Sequence, residues 1–212
     1  MSPTTSSPGS PDDAPDLPPT SGLSDSQRAL IEAVARRLVG PKQKPNSVVA
    51  AWTTHGTAFL SAGRCWEEVQ VPAWLGRKVL ALGHTMGTGL ESGSWPVFCT
   101  PEDDRISFLV PLGTAVDWAV PDTVCLFDGQ VEVPAPTSDD ACTDVDQGVN
   151  ADTPCTQSAP HWIQPPFLNN DGKLLLTNPR LLAPALDHIV QERERTSHQV
   201  SAADRERSGG VR

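Results

Sequence analysis

Ile106-Ser-Phe-Leu-Val-Pro-Leu-Gly113 is the stretch that decides the fold. Alternation puts Ile106, Phe108 and Val110 on one face of an extended segment and Ser107 and Leu109 on the other, a period of two that belongs to a strand. Pro111 ends the run because it has no N–H for a ladder, and Gly113 supplies the turn that follows. Upstream, Pro96-Val-Phe-Cys-Thr100 and the turn Pro101-Glu-Asp-Asp104 make this strand the second arm of a hairpin over about 96–110. Downstream, Thr123-Val-Cys-Leu-Phe127, Asp128-Gly129 and Gln130-Val-Glu-Val133 predict another hairpin over about 123–133. A two-residue Asp-Gly loop favours a type I′ turn, which would pair Leu126 with Val131 and Val124 with Val133.

Helical signals surround this sheet. Trp66-Glu-Glu-Val-Gln-Val71 is a strand that runs into Pro72, a residue suited to a first helical position. A helix is therefore expected at about 72–82, with Leu75, Val79 and Leu82 facing inward. Ser24-Asp-Ser-Gln27 has the form of a capping box and opens a helix over about 24–39, with Arg36 and Arg37 suiting its C-terminal dipole and Gly40-Pro41 stopping it. Asn178-Pro179 caps a third helix at about 179–195. Pro184 sits awkwardly within it, so either the first turn is separate or the helix begins at Pro184. Ser47–Thr53 and Thr57–Leu60 are short apolar runs around Thr54-His55-Gly56 and read as a hairpin or a bent strand. His161–Gln164 returns as a short strand. The expected class is α+β, a mostly antiparallel sheet packed by helices.

Composition sets the expected domain plan. Residues 1–23 carry little beyond Ser, Pro, Thr, Gly, Asp and Ala, and 196–212 alternate acid, base, Ser and Gly, so both are expected to be disordered. One domain is expected over 24–195, interrupted by a disordered acidic loop at 136–160. Of the net charge of −10, residues 1–23 contribute −3 and 136–160 contribute −5. The remaining segments, 24–40, 41–135 and 161–212, carry +1, −4 and +1, so none is strongly basic. Tight, direct binding to nucleic acid is therefore disfavoured, although a local patch is compatible with the totals.

The residue types that carry chemistry are scattered. Five cysteines include no C-x-x-C, and the five histidines nowhere fall at zinc-ligand spacing, so no metal site is expected. Cys99 and Cys125, within strands, read as small buried hydrophobes. Asp144-Val-Asp146 has a magnesium-binding form but lies in the acidic loop, where nothing would hold octahedral geometry. Glu102-Asp103-Asp104 is turn chemistry. Gly87-Thr-Gly89-Leu-Glu-Ser-Gly93 has one residue too many for a dinucleotide loop and is followed by a strand. The six tryptophans are spread evenly, which suits core packing better than a stacking platform. With no secretory signal and no run approaching the ~20 apolar residues of a membrane span, a cytoplasmic setting is expected.

Taken together, Gly56-Thr-Ala-Phe59 with Trp66-Glu-Glu-Val-Gln-Val-Pro-Ala-Trp-Leu-Gly-Arg-Lys-Val-Leu80, Trp95-Pro-Val-Phe98, Ser107-Phe-Leu-Val-Pro-Leu-Gly-Thr-Ala115 with Trp118, Val131-Glu-Val-Pro134, His161-Trp-Ile-Gln-Pro-Pro166 and Leu176-Thr-Asn-Pro-Arg-Leu-Leu182 resemble short actinobacterial proteins similar to the N-terminal domain of bifunctional DNA primase/polymerases. The likeness covers about residues 47–190. It implies a compact α+β domain related to the primase-polymerase catalytic core. The active family uses a D-x-D or D-x-E pair on a strand, a histidine and a further strand-borne acid, and none of these can be placed here. His84 and His161 lack the matching context, so no catalytic residue is carried over. The expected function is a non-catalytic domain with an assembly or regulatory role, working with a protein partner and without a cofactor. Two alternatives stand beside it. One is an active primase-polymerase or nucleotide-binding enzyme, with Mg²⁺ held by Glu67, Glu68, Asp128 and Glu132 if they converge. The other is an acidic adaptor for a basic protein.

Overall fold

The computed structural model describes residues 23–86, 95–136 and 159–208. Two antiparallel sheets organise it. The larger has five strands in the order β5 (Val124–Leu126), β2 (Glu67–Pro72), β4 (Arg105–Val110), β3 (Val97–Thr100) and β7 (His161–Gln164). The smaller is a ribbon of β1 (Thr57–Ala62) and β6 (Gly129–Pro134). The class is thus the α+β expected, and the Ile106 strand sits at the centre of the larger sheet.

Alternation along β4 sorts the core into two. On one face Ile106, Phe108 and Val110 join Val69 and Val71 beneath α3 (Ala73–Met86) and α5 (Pro179–Ser208). On the other, Leu109, Phe98, Trp66 and Trp162 meet the ribbon together with α1 (Asp25–Leu38) and α2 (Pro45–His55). Phe98 and Trp162 cross edge to face with centroids 5.3 Å apart. Such a pair is worth about 1 kcal/mol beyond its buried area.

Local chemistry accounts for several element ends. The Ser24 hydroxyl accepts from Gln27 N–H and the Gln27 side chain accepts from Ser24 N–H, completing the capping box of α1. β2 passes directly into α3, and Gly76 lets that helix approach the sheet, since a Cβ there would meet Ile106 at 2.8 Å. The hairpin over 96–110 forms, with Pro101–Asp103 in a 3-10 turn and Asp104 left-handed at φ 48.

Elsewhere the structure departs from the sequence reading. Residues 123–133 are not a hairpin: β5 pairs with β2, and β6 pairs with β1, placing Leu60 opposite Val131 and Ala58 opposite Val133. Asp128-Gly129 carries the chain from one sheet to the other, with Gly129 at φ 125, outside the range of a tight turn between paired arms. The run 47–53 is helical, because Pro45 starts α2 and the buried positions Val48 and Trp52 are one helical turn apart. Pro184 lies inside α5, which begins at Pro179 and continues past 195 to Ser208. Pairs such as Asp187–Gln191 and Gln191–Arg195 link successive turns of its exposed stretch. Cys65 and Cys125 are free, whereas Cys99 is disulfide-bonded and is more than a buried hydrophobe. The arm read at 1–23 and the loop at 136–160 lie almost wholly outside the described residues, as do the glycines from Gly87 to Gly93.

Candidate functional site

The densest cluster of buried polar groups surrounds β2, where consecutive glutamates point to opposite faces of the sheet. Glu67 faces the α3 and α5 side and is 5% exposed. Its Oε1 accepts from the N–H of Gly113 at 2.8 Å and its Oε2 from that of Ala115 at 2.7 Å. These N–H groups open the short α4 (Thr114–Asp117), which has no cap from its own N-cap residue. Both carboxylate oxygens are therefore engaged in holding the turn after β4. Cys125 points to the same spot from β5, with Sγ 3.9 Å from Oε2. Burial, and then the Glu67 charge, push its thiol up to about 12.

Glu68 faces the interior between the two sheets and is 1% exposed. Its Oε1 accepts from the Gln70 amide at 3.2 Å, while Oε2 has no hydrogen-bond partner. Ser107, fully buried on β4 opposite Gln70, offers a hydroxyl that is also without a partner in good geometry. Burial raises the Glu68 pKa, and the neighbouring Ser107 and Gln70 offset part of that rise. A carboxyl in this setting is suited to holding a proton and to donating a hydrogen bond.

The four carboxylates named as a conditional metal site do not converge. Glu67 and Glu68 are separated by the sheet. Asp128, exposed between the sheets, accepts from Gly129 N–H at 3.0 Å. Glu132, on the outer face of the ribbon, accepts from the Thr57 hydroxyl at 2.6 Å. Among the described residues, no group of three or more His, Cys, Asp or Glu side chains is placed to hold a metal ion. His161 is buried, with Nδ1 2.9 Å from the Ala159 carbonyl and Nε2 unpartnered. The chain matches no family model, no curated protein and no solved structure. No helix among the described residues is long and apolar enough to cross a membrane.

Sequence reasoning named both glutamates but missed Gln70 and Ser107, although Glu68 and Gln70 share a face by simple alternation. It also missed a groove of about 380 Å³ lined by Trp74, Asp122, Val190, Arg193, Glu194 and Ser197. There the Arg193 guanidinium stacks 4.2 Å from the centroid of the Trp74 ring and Lys78 Nζ lies 5.9 Å from it, so the aromatic face is already occupied by the protein's own cation. Of the six tryptophans, Trp52, Trp66, Trp95 and Trp162 belong to the core, as their even spacing implied.

Proposed function

We propose that the chain is a non-catalytic domain of primase-polymerase type with an assembly or regulatory role. The observation that carries this reading is the fate of the β2 pair. One glutamate has both oxygens committed to the backbone of α4. The other is sealed between the sheets with its pKa raised by burial. Two-metal nucleotidyl transfer needs carboxylates that share a cleft and stay ionised, so that two divalent ions can be held about 3.5–4 Å apart. The test is template-directed nucleotide incorporation by the purified chain with Mg²⁺ or Mn²⁺. No extension of a primed template is expected, and extension by the wild-type chain that is lost in Glu67→Gln and Glu68→Gln would overturn the reading.

A cytoplasmic setting belongs to the same proposal and stands in tension with the bonded state of Cys99, since structural disulfides persist mainly in oxidising compartments. Thiol trapping in intact host cells decides the matter. A reduced Cys99 supports the cytoplasm, and an oxidised one removes it.

A further inference from the structure

We propose that the end of the molecule where α1 meets α2 is a docking surface for an acidic, partly apolar peptide segment of a partner protein. This extends the assembly reading but stands on a different face from β2, so the two can fail separately.

Residues 33–66 contain five Lys or Arg and no Asp or Glu, in a chain of net charge −10. The fold then brings its members together. α1 ends in Arg36 and Arg37, and the chain turns tightly, with Gln43 N–H donating to the Gly40 carbonyl at 3.1 Å, so that Lys42 and Lys44 follow at once. Lys44 is the N-cap of α2. Arg64 arrives from the turn after β1: a Cβ added to Gly40 would fall 2.6 Å from the Arg64 Cβ, and Cys65 Sγ lies 3.6 Å from the Val39 carbonyl. Lys173 comes from the turn whose Gly172 packs against the Arg37 guanidinium. All of these cations are exposed.

Carboxylates thin this charge without cancelling it. Glu32 pairs with Arg36 at 3.3 Å, Asp171 adjoins Gly172, Asp128 follows Phe127, and Glu132 lies opposite Phe59. Two exposed phenylalanines adjoin this run through their backbones. Phe59 is 60% exposed, and its carbonyl accepts from the Gln43 amide at 2.7 Å. Phe127 is 67% exposed, and its carbonyl lies against Gly63, the residue before Arg64. Exposed rings set among separated cations match a segment that alternates acids with apolar side chains. A nucleic acid fits less well. Its dense phosphates reward many cations acting together, whereas here four carboxylates intervene and the whole chain repels a polyanion.

The experiment is fluorescence anisotropy on the full chain with a labelled dodecapeptide of Asp, Glu, Leu and Phe. The comparison probes are the same peptide with Asn and Gln replacing the acids, and an oligothymidine of equal length. The acidic peptide should bind, more weakly as salt rises, and the K42E/K44E/R64E variant should lose about tenfold or more in affinity. K78E, on α3, should bind as the wild type does, and F59S/F127S should weaken binding independently of salt. The substituted side chains are exposed, so circular dichroism should show unchanged folds. The proposal is overturned if the acidic peptide does not bind, if its neutral analogue binds equally, if the triple variant binds normally, or if oligothymidine binds as tightly.

Discussion

Glu67 and Ala115 are joined by a hydrogen bond of 2.7 Å between a side chain of β2 and the backbone of α4. With its companion bond to Gly113, it makes one carboxylate the cap of a helix that has none of its own. Glu67→Gln keeps one acceptor oxygen and turns an amide toward the second N–H. Its expected cost is about 0.5–2 kcal/mol, the range for removing a helix cap. A chain of this size should lose roughly 2–4 °C in Tm for each kcal/mol. An unchanged thermal midpoint by circular dichroism would refute the capping role.

Glu68 should make stability depend on pH in the sense opposite to a salt-bridged carboxylate. Its folded pKa lies above the ordinary glutamate value of 4.5, so the native state holds a proton that the unfolded state releases. The stabilisation is complete below 4.5 and is lost as pH rises through the higher folded value. Glu68→Gln mimics the protonated form at every pH. Urea unfolding should find the variant close to wild type in acid and more stable at alkaline pH. A constant difference between the two across that range would sink the idea.

Cys125 should be a sluggish thiol. Raised to about 12 by burial and by Glu67, it carries little thiolate at neutral pH, and the thiolate is the reactive form. Alkylation by iodoacetamide, followed by peptide mass spectrometry, should therefore modify Cys125 slowly. Glu67→Gln should speed the reaction by removing the neighbouring charge. Equal rates in the two proteins would contradict the assigned cause.

Gly56 and Gly63 have nearly the same left-handed conformation, at φ 74 and φ 75, but different surroundings. A Cβ at Gly56 meets open space, so Gly56→Ala should cost only the conformational strain of about 1–2 kcal/mol. At Gly63 the Cβ would collide with the Phe127 carbonyl. Gly63→Ala should therefore cost measurably more, because the backbone that links the two sheets has to move. Equal urea midpoints for the two variants would argue against that close approach.

What could be read from the sequence was what local chemistry decides. The capping box at Ser24, the hairpin around Pro101 and the passage from β2 into α3 all rest on residues within a few positions of one another. The pairing of β6 does not. Val131 and Val133 alternate equally well for a partner in β5 or in β1, and the choice fell to β1, some seventy residues earlier, because its Ala58 and Leu60 close the same core. α2 was obscured by its β-branched residues, which favour strands locally and were overridden by the burial of Val48 and Trp52. The site was half legible. Alternation separates Glu67 from Glu68, but only the fold shows that Gly113 and Ala115 take the first and Ser107 adjoins the second.

Three buried indoles join parts of the fold that are distant in the chain. Trp52 donates to the Val133 carbonyl at 2.9 Å, Trp66 to Leu38 at 3.0 Å and Trp162 to Pro134 at 2.9 Å. Two of these acceptors end the ribbon and the third ends α1. Phenylalanine would fill much of the same volume at any of the three positions, yet it would strand a carbonyl with no water to turn to. The interior therefore selects for a nitrogen as well as for a shape, and a drift toward plain hydrocarbon would loosen the seam between the sheets before it emptied any space.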